Sequence, residues 1–176
     1  MEMWEVVARE SVRDLIARSN ANGDSGRWDQ LEELFAPEMV LDTDGTVTEG
    51  RDAVMQMYRS VQANVVVDAD APPPEPADGH TTLQEWIGRG RKPFIRHCTT
   101  TTQIDVISPE EAHARSYYFL LTVHGLDHWG RYIDSFRPVD GVWKFTKRQE
   151  IQDAAVEGGW GAGPDLDNHV RVIGST

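Results

Sequence analysis

The sequence predicts a single α+β domain, with three N-terminal helices laid on one face of a curved, mainly antiparallel sheet. Three observations carry the prediction. Apolar residues at helical spacing mark three helices in the first third of the chain. Turn dipeptides punctuate that third at short intervals. The second half holds four runs of β-branched and aromatic residues joined by turn signals, the order in which helices cover one side of a meander. A chain of 176 residues, 39% hydrophobic and 26% charged, has the size and makeup of one folded domain.

The first helix is expected from about Trp4 to Ala21, where Val7, Val12, Leu15, Ile16 and Ser19 recur at near-helical spacing. Asn22-Gly23-Asp24 then reads as a helix stop. Trp28, Leu31, Leu34 and Phe35 fall on one face of a second, short helix that Pro37 is expected to end. Met39–Thr43 reads as a strand, Asp44-Gly45 as a tight turn, and Thr46–Thr48 as the returning strand. Gly50-Arg51-Asp52 opens a third helix with Ala53, Val54, Met57, Tyr58 and Val61 as its apolar stripe. From Asp68 to Pro93 the prolines of Ala71–Pro76 preclude a regular ladder, so 68–93 is expected to be a lid or interface loop, with one short helix at Thr81–Gly88. Four strands follow: Phe94–Ile107, Ala112–His124, Trp129–Arg137 and Val142–Ile151, with turns at Ser108–Glu111 and Val139–Gly141. The domain is expected to span 1–152, and the Gly-rich 153–176 to be a tail over the surface or a neighbouring subunit.

Charge narrows the partners. The chain carries a net charge of -12 and has a pI of about 4.8. Nucleic acid and anionic membrane need a basic face, so neither is expected. Cys98 is the one cysteine, which excludes an internal disulfide. The N-terminus lacks a basic segment followed by an apolar run, and no stretch approaches the roughly 18 apolar residues that span a bilayer. A cytoplasmic protein is expected. No strand–Gly-rich loop–helix motif is present, and His113, His124, His128 and His169 lack metal-ligand spacing. No cofactor and no metal are therefore expected.

Three segments resemble the SnoaL-like branch of the nuclear transport factor 2-like superfamily. They are Val12–Leu15 leading to Asn22-Gly23-Asp24 with Trp28, Leu31 and Phe35; Ile95–Thr100; and Tyr132–Phe136 followed by Asp140–Arg148. The resemblance implies a cone-like α+β barrel. Within the branch it points toward hexachlorocyclohexane dehydrochlorinase, bile-acid 7α-dehydratase and scytalone dehydratase. In these enzymes a helix-end Asp and a strand His form a catalytic dyad, and in the first two an Arg after the last aromatic motif joins the site. The matching residues are Asp24, His97 and Arg148. The catalytic Tyr of the bile-acid enzyme corresponds to Ser19, a departure that separates this chain from that substrate. Relatives of this kind form homodimers or homotrimers, which is the assembly expected here.

The residue types suit proton abstraction. A histidine titrates near neutrality, and a carboxylate on its other ring nitrogen fixes the tautomer and stabilises the imidazolium. Cys98 follows His97 on a strand and is expected on the opposite face, against a Cys–His nucleophilic pair. Arg148 is expected to hold a developing oxyanion or a leaving group. Tyr58, Trp86, Tyr117 and Phe119 are candidate walls for a small hydrophobic or polycyclic ligand. The expected activity is that of a lyase, most simply a dehydratase. An isomerase or polyketide cyclase using the same dyad is the alternative, as is a non-catalytic subunit like the β subunit of ring-hydroxylating dioxygenases.

Overall fold

The computed structural model describes residues 1–64, 95–122, 125–157, 159–162 and 171–173. The proline-rich loop, its expected helix and Trp86 lie outside the described residues. The elements run α1 (Met3–Gly23), α2 (Trp28–Glu32), β1 (Phe35–Thr43), β2 (Thr46–Glu49), α3 (Arg51–Asn64), β3 (Arg96–Ser108), β4 (Glu111–Thr122), β5 (Gly125–Val139), β6 (Val142–Val156), a 3-10 turn at Trp160–Ala162, and β7 (Arg171–Ile173). The strands lie in the order β2-β1-β6-β5-β4-β3, and β7 pairs with β6. The order of three helices and an antiparallel meander from β3 to β6 is as the sequence predicts.

Three elements depart from expectation. Helix α2 ends at Glu32, and Phe35 and Pro37 belong to β1. Phe35 pairs with Phe145 of β6, and their rings meet edge to face at 5.8 Å. Pro37 falls where the β1–β6 register is interrupted, between Phe35 and Val40, so its missing N–H removes no ladder bond there. Strand β5 starts at Gly125, earlier than Trp129. Strand β6 runs to Val156 rather than Ile151, and beyond it the 3-10 turn packs against β5 and β6.

Both predicted tight turns take the left-handed backbone that favours Asp-Gly. At Asp44-Gly45 φ is 48 and 88°, and at Asp140-Gly141 it is 52 and 79°. The core fills the space between α1, α3 and the sheet, built on Val12, Leu31, Phe35, Met39, Val54, Phe136 and Phe145.

Alternation along β4 settles which side chains face inward. Ala112, Ala114, Ser116, Tyr118, Leu120 and Thr122 are buried. Tyr117 points the other way and is 56% exposed, and Phe119 shares its parity. Pairing aligns His97 of β3 with Leu120 of β4, and Leu120 with His128 of β5. The two histidines therefore belong to one row of one face, two strand spacings apart, or about 10 Å. Between Leu120 and Leu121 the β4–β5 register slips, and Asp127 is the extra residue of a bulge.

Candidate active site

Helix α1 delivers Asp24. The helix ends at Gly23, and Asp24 sits at its C-cap with its N–H bonded to the Asn20 carbonyl at 2.9 Å. Arg27 ties the end down, donating from Nε to Asn22 Oδ1 at 2.9 Å and from Nη2 to the Ala21 carbonyl at 2.8 Å; a cation at a helix C-terminus satisfies carbonyls that lack partners within the helix. Asn20 anchors α1 to β3 by donating to Thr99 Oγ1 at 2.6 Å. These contacts bring the Asp24 carboxylate to His97.

The carboxylate grips His97 twice. Its Oδ1 lies 2.7 Å from His97 Nδ1, and its Oδ2 accepts the His97 backbone N–H at 2.9 Å. The side chains are 6% and 22% exposed, respectively. Two-point capture fixes the ring orientation and directs Nε2 away from the carboxylate. Among the described residues Nε2 makes no hydrogen bond.

His97 opens on a cavity of about 520 Å³, within the range typical of small-molecule sites, about 300–1,000 Å³. Trp28, Leu31, Met57, Tyr58 and Tyr132 supply apolar and aromatic walls, and Ser19, Arg148, Glu150 and His128 supply polar ones. A second, more polar groove passes the other side of Asp24 and His97 along Arg13, Ala17 and Arg96.

Arg148 is fixed on the same cavity. Its Nε and Nη2 donate to the two oxygens of Asp134 at 2.8 and 2.9 Å, and Nη1 donates to Ser19 Oγ at 3.3 Å. The guanidinium lies over the Tyr132 ring at 4.2 Å and the Phe145 ring at 4.8 Å. Burial opposes its charge, yet the Asp134 carboxylate more than offsets this and holds the guanidinium protonated beyond its ordinary range. Burial pushes the Tyr58 hydroxyl up to about 12, against the pull of nearby Arg148. Burial also raises Tyr132 and Tyr118. These phenols are therefore neutral near neutral pH.

Of the sequence candidates, the structure brings Asp24, His97, Arg148 and Tyr58 to one cavity. Tyr117 and Phe119 do not line it. The inward residue is Tyr118, whose ring stacks on Tyr132 at 4.3 Å. Sequence reasoning missed Asp134, which holds Arg148, and a second carboxylate–imidazole pair. Asp127 Oδ1 lies 2.7 Å from His128 Nδ1, with both side chains buried. Asp127 also accepts the N–H groups of Trp160 and Gly161 at 2.8 Å each. Desolvation works to raise the Asp127 carboxyl, but the bonds from His128, Gly161 and Trp160 outweigh it and hold it below the ordinary value. Adjacent strand residues ordinarily face opposite ways; the bulge at Asp127 lets both turn inward. Gly125 and Gly130 flanking the Asp-His dipeptide were the available signal. Among the described residues no cluster of three or more His, Cys, Asp or Glu side chains has the arrangement of a metal site, and no helix is long and apolar enough to cross a membrane.

A cone of helices on a curved sheet, open to an apolar cavity, is the nuclear transport factor 2-like fold. The model of the SnoaL-like domain family matches residues 4–149, and the chain belongs to that family. The solved structures it is similar to include LinA, at 15% identity over 85% of this chain and 88% of that one, with a TM-score of 0.64. An NTF2-like protein with a cystatin-like fold from Novosphingobium aromaticivorans aligns at 20% identity over 88% and 85%, with a TM-score of 0.59. A protein from Catenulispora acidiphila, solved in complex with S-DNPA, aligns at 18% identity over 82% and 94%, with a TM-score of 0.59. A comparison with curated proteins found no match.

Proposed function

We propose that this chain is a cofactor-independent lyase, a dehydratase acting on a small, neutral, hydrophobic hydroxy-carbonyl compound. The observation that carries the reading is the Asp24–His97 pair, with the imidazole oriented by two bonds to one carboxylate at the wall of an apolar cavity. The family includes dehydratases, a dehydrochlorinase and polyketide cyclases. LinA is a hexachlorocyclohexane dehydrochlorinase, and its similarity to this chain supports elimination chemistry here.

In the proposed reaction His97 Nε2 removes a proton from the carbon beside the carbonyl. Asp24 stabilises the imidazolium that forms. Arg148 uses three of a guanidinium's five N–H donors on Asp134 and Ser19. The others serve the developing oxyanion. The carbon–hydrogen electron pair becomes a double bond, and the β-hydroxyl departs. Neutral substrates fit because Asp24, Asp44 and Glu150 line the cavity while Asp134 already offsets Arg148; an anionic ligand meets repulsion in a low-dielectric space. The open cavity also favours catalysis over the subunit role, which calls for a filled cone.

The test is dehydration of 3-hydroxy-1-tetralone to 1-naphthol, followed by absorbance. His97→Gln and Asp24→Asn should each lower kcat by about 10²-fold or more. A wild-type rate no faster than buffer across a panel of cyclic hydroxy-ketones would sink the reading.

A further inference from the structure

We propose that His128 is a second catalytic group of the cavity, the acid that protonates the departing oxygen while His97 takes the carbon-bound proton. The inference rests on the elimination reading, but its evidence is separate. His128 lines the cavity, and its Nδ1 is bound by Asp127 Oδ1 at 2.7 Å, matching the 2.7 Å contact of His97 with Asp24. The two pairs come from different elements: one from a helix end, the other from a bulge in β5. Register places both rings in one row of the sheet, separated by Leu120. Both rings approach Tyr118, whose centroid is 6.4 Å from the His97 ring and 6.0 Å from the His128 ring.

Structural packing alone would need only a neutral imidazole. The site instead gives His128 a carboxylate that is itself secured by two backbone N–H groups of the 3-10 turn. That carboxylate pins Nδ1 and so aims Nε2 away from itself. Trp160 packs against the ring at 5.6 Å, and Gly161 is close enough that an added Cβ would fall 2.5 Å from Nδ1. The ring is thus held with little freedom, and among the described residues Nε2 makes no hydrogen bond.

The step balances. His97 Nε2 takes the carbon-bound proton, and the C–H pair becomes the π bond. The C–O bond breaks with its pair on oxygen, which takes the Nε2 proton of protonated His128 and leaves as water. His97 ends protonated and His128 neutral, and exchange with solvent resets both.

The experiment compares two reactions. Deuterium exchange into 2-tetralone in D2O, followed by proton NMR, needs the base alone. Dehydration of 3-hydroxy-1-tetralone needs base and acid. His97→Gln should abolish both. His128→Gln should lower dehydration about 10²-fold, a loss at least about tenfold larger than its effect on exchange. Equal losses in the two reactions, or no loss in either, overturn the proposal. Nitrogen-15 NMR of the wild-type protein with 1-naphthol supplies a reading independent of turnover and of the variant's folding. Shifts of both Nε2 signals on binding support a second ligand-facing imidazole, even where neither probe turns over and the elimination reading itself fails. A His128 signal that stays fixed while that of His97 moves overturns it.

Discussion

Arg148 and Asp134 form a two-point ion pair in which neither side chain is more than 6% exposed. Such a pair holds a donor rigid beside the cavity, and it makes each partner depend on the other. Removing one leaves an uncompensated buried charge, which costs about 3–5 kcal/mol. Arg148→Met or Asp134→Leu alone should lower the urea midpoint accordingly, and the double variant should recover much of the loss. Arg148→Lys should not rescue, because an ammonium cannot span both carboxylate oxygens. Equal stability of single and double variants would refute the coupling.

Acid should loosen the Asp127 anchor. Its folded carboxyl titrates below the ordinary value of 3.8. The stability it contributes is therefore fully present above 3.8 and is lost as pH falls through the lower folded value. Asp127→Asn should flatten the fall in Tm below that pH while leaving the slope above it unchanged. A wild-type and variant pair with parallel Tm profiles down to pH 2 would contradict this.

Two glycines should resist even alanine. At Gly130 a Cβ would lie 2.0 Å from the Ile151 carbonyl oxygen, where the β5–β6 register slips across Gln152 and Ala154. Backbone cannot yield cheaply, so Gly130→Ala should destabilise by about 1–3 kcal/mol or more. At Gly161 the clash is with the His128 ring. Gly161→Ala should displace that ring and be seen first in its NMR signals, with a smaller change in Tm than at Gly130.

Ligand charge should discriminate. 1-Naphthol and 1-naphthoate share an apolar body, but only the second brings a full charge among Asp24, Asp44 and Glu150. Calorimetry should find the naphthol bound about tenfold more tightly or better, a difference of about 1.4 kcal/mol. Tighter binding of the carboxylate would mean that Arg148 is freer than its bond to Asp134 allows.

The fold was legible because its signals are local. Apolar spacing marks α1 and α3, and Asp-Gly marks the two hairpins. Asn22-Gly23-Asp24 and the helix end coincide to within two residues. The inward face of β4 was not legible: Tyr117, Tyr118, Phe119, Leu120 and Leu121 are consecutive apolar or aromatic residues, so alternation gives no parity. Pairing on both sides decides it, and it selects Tyr118. Phe35 looked helical because it continues the spacing of Trp28, Leu31 and Leu34. Its parallel pairing with Phe145, more than a hundred residues away, overrides that local pattern. Asp127 and His128 stayed hidden because a bulge is a property of two strands together, and neither residue type announces it.

The 3-10 turn carries a lesson for comparing this chain with others. Trp160 and Gly161 form part of the chamber wall, yet the shared family region stops at residue 149. Two members could agree throughout that region and still admit different guests, because the last panel is supplied by sequence outside it. Grafting this terminal stretch onto a relative is then a way to exchange selectivity.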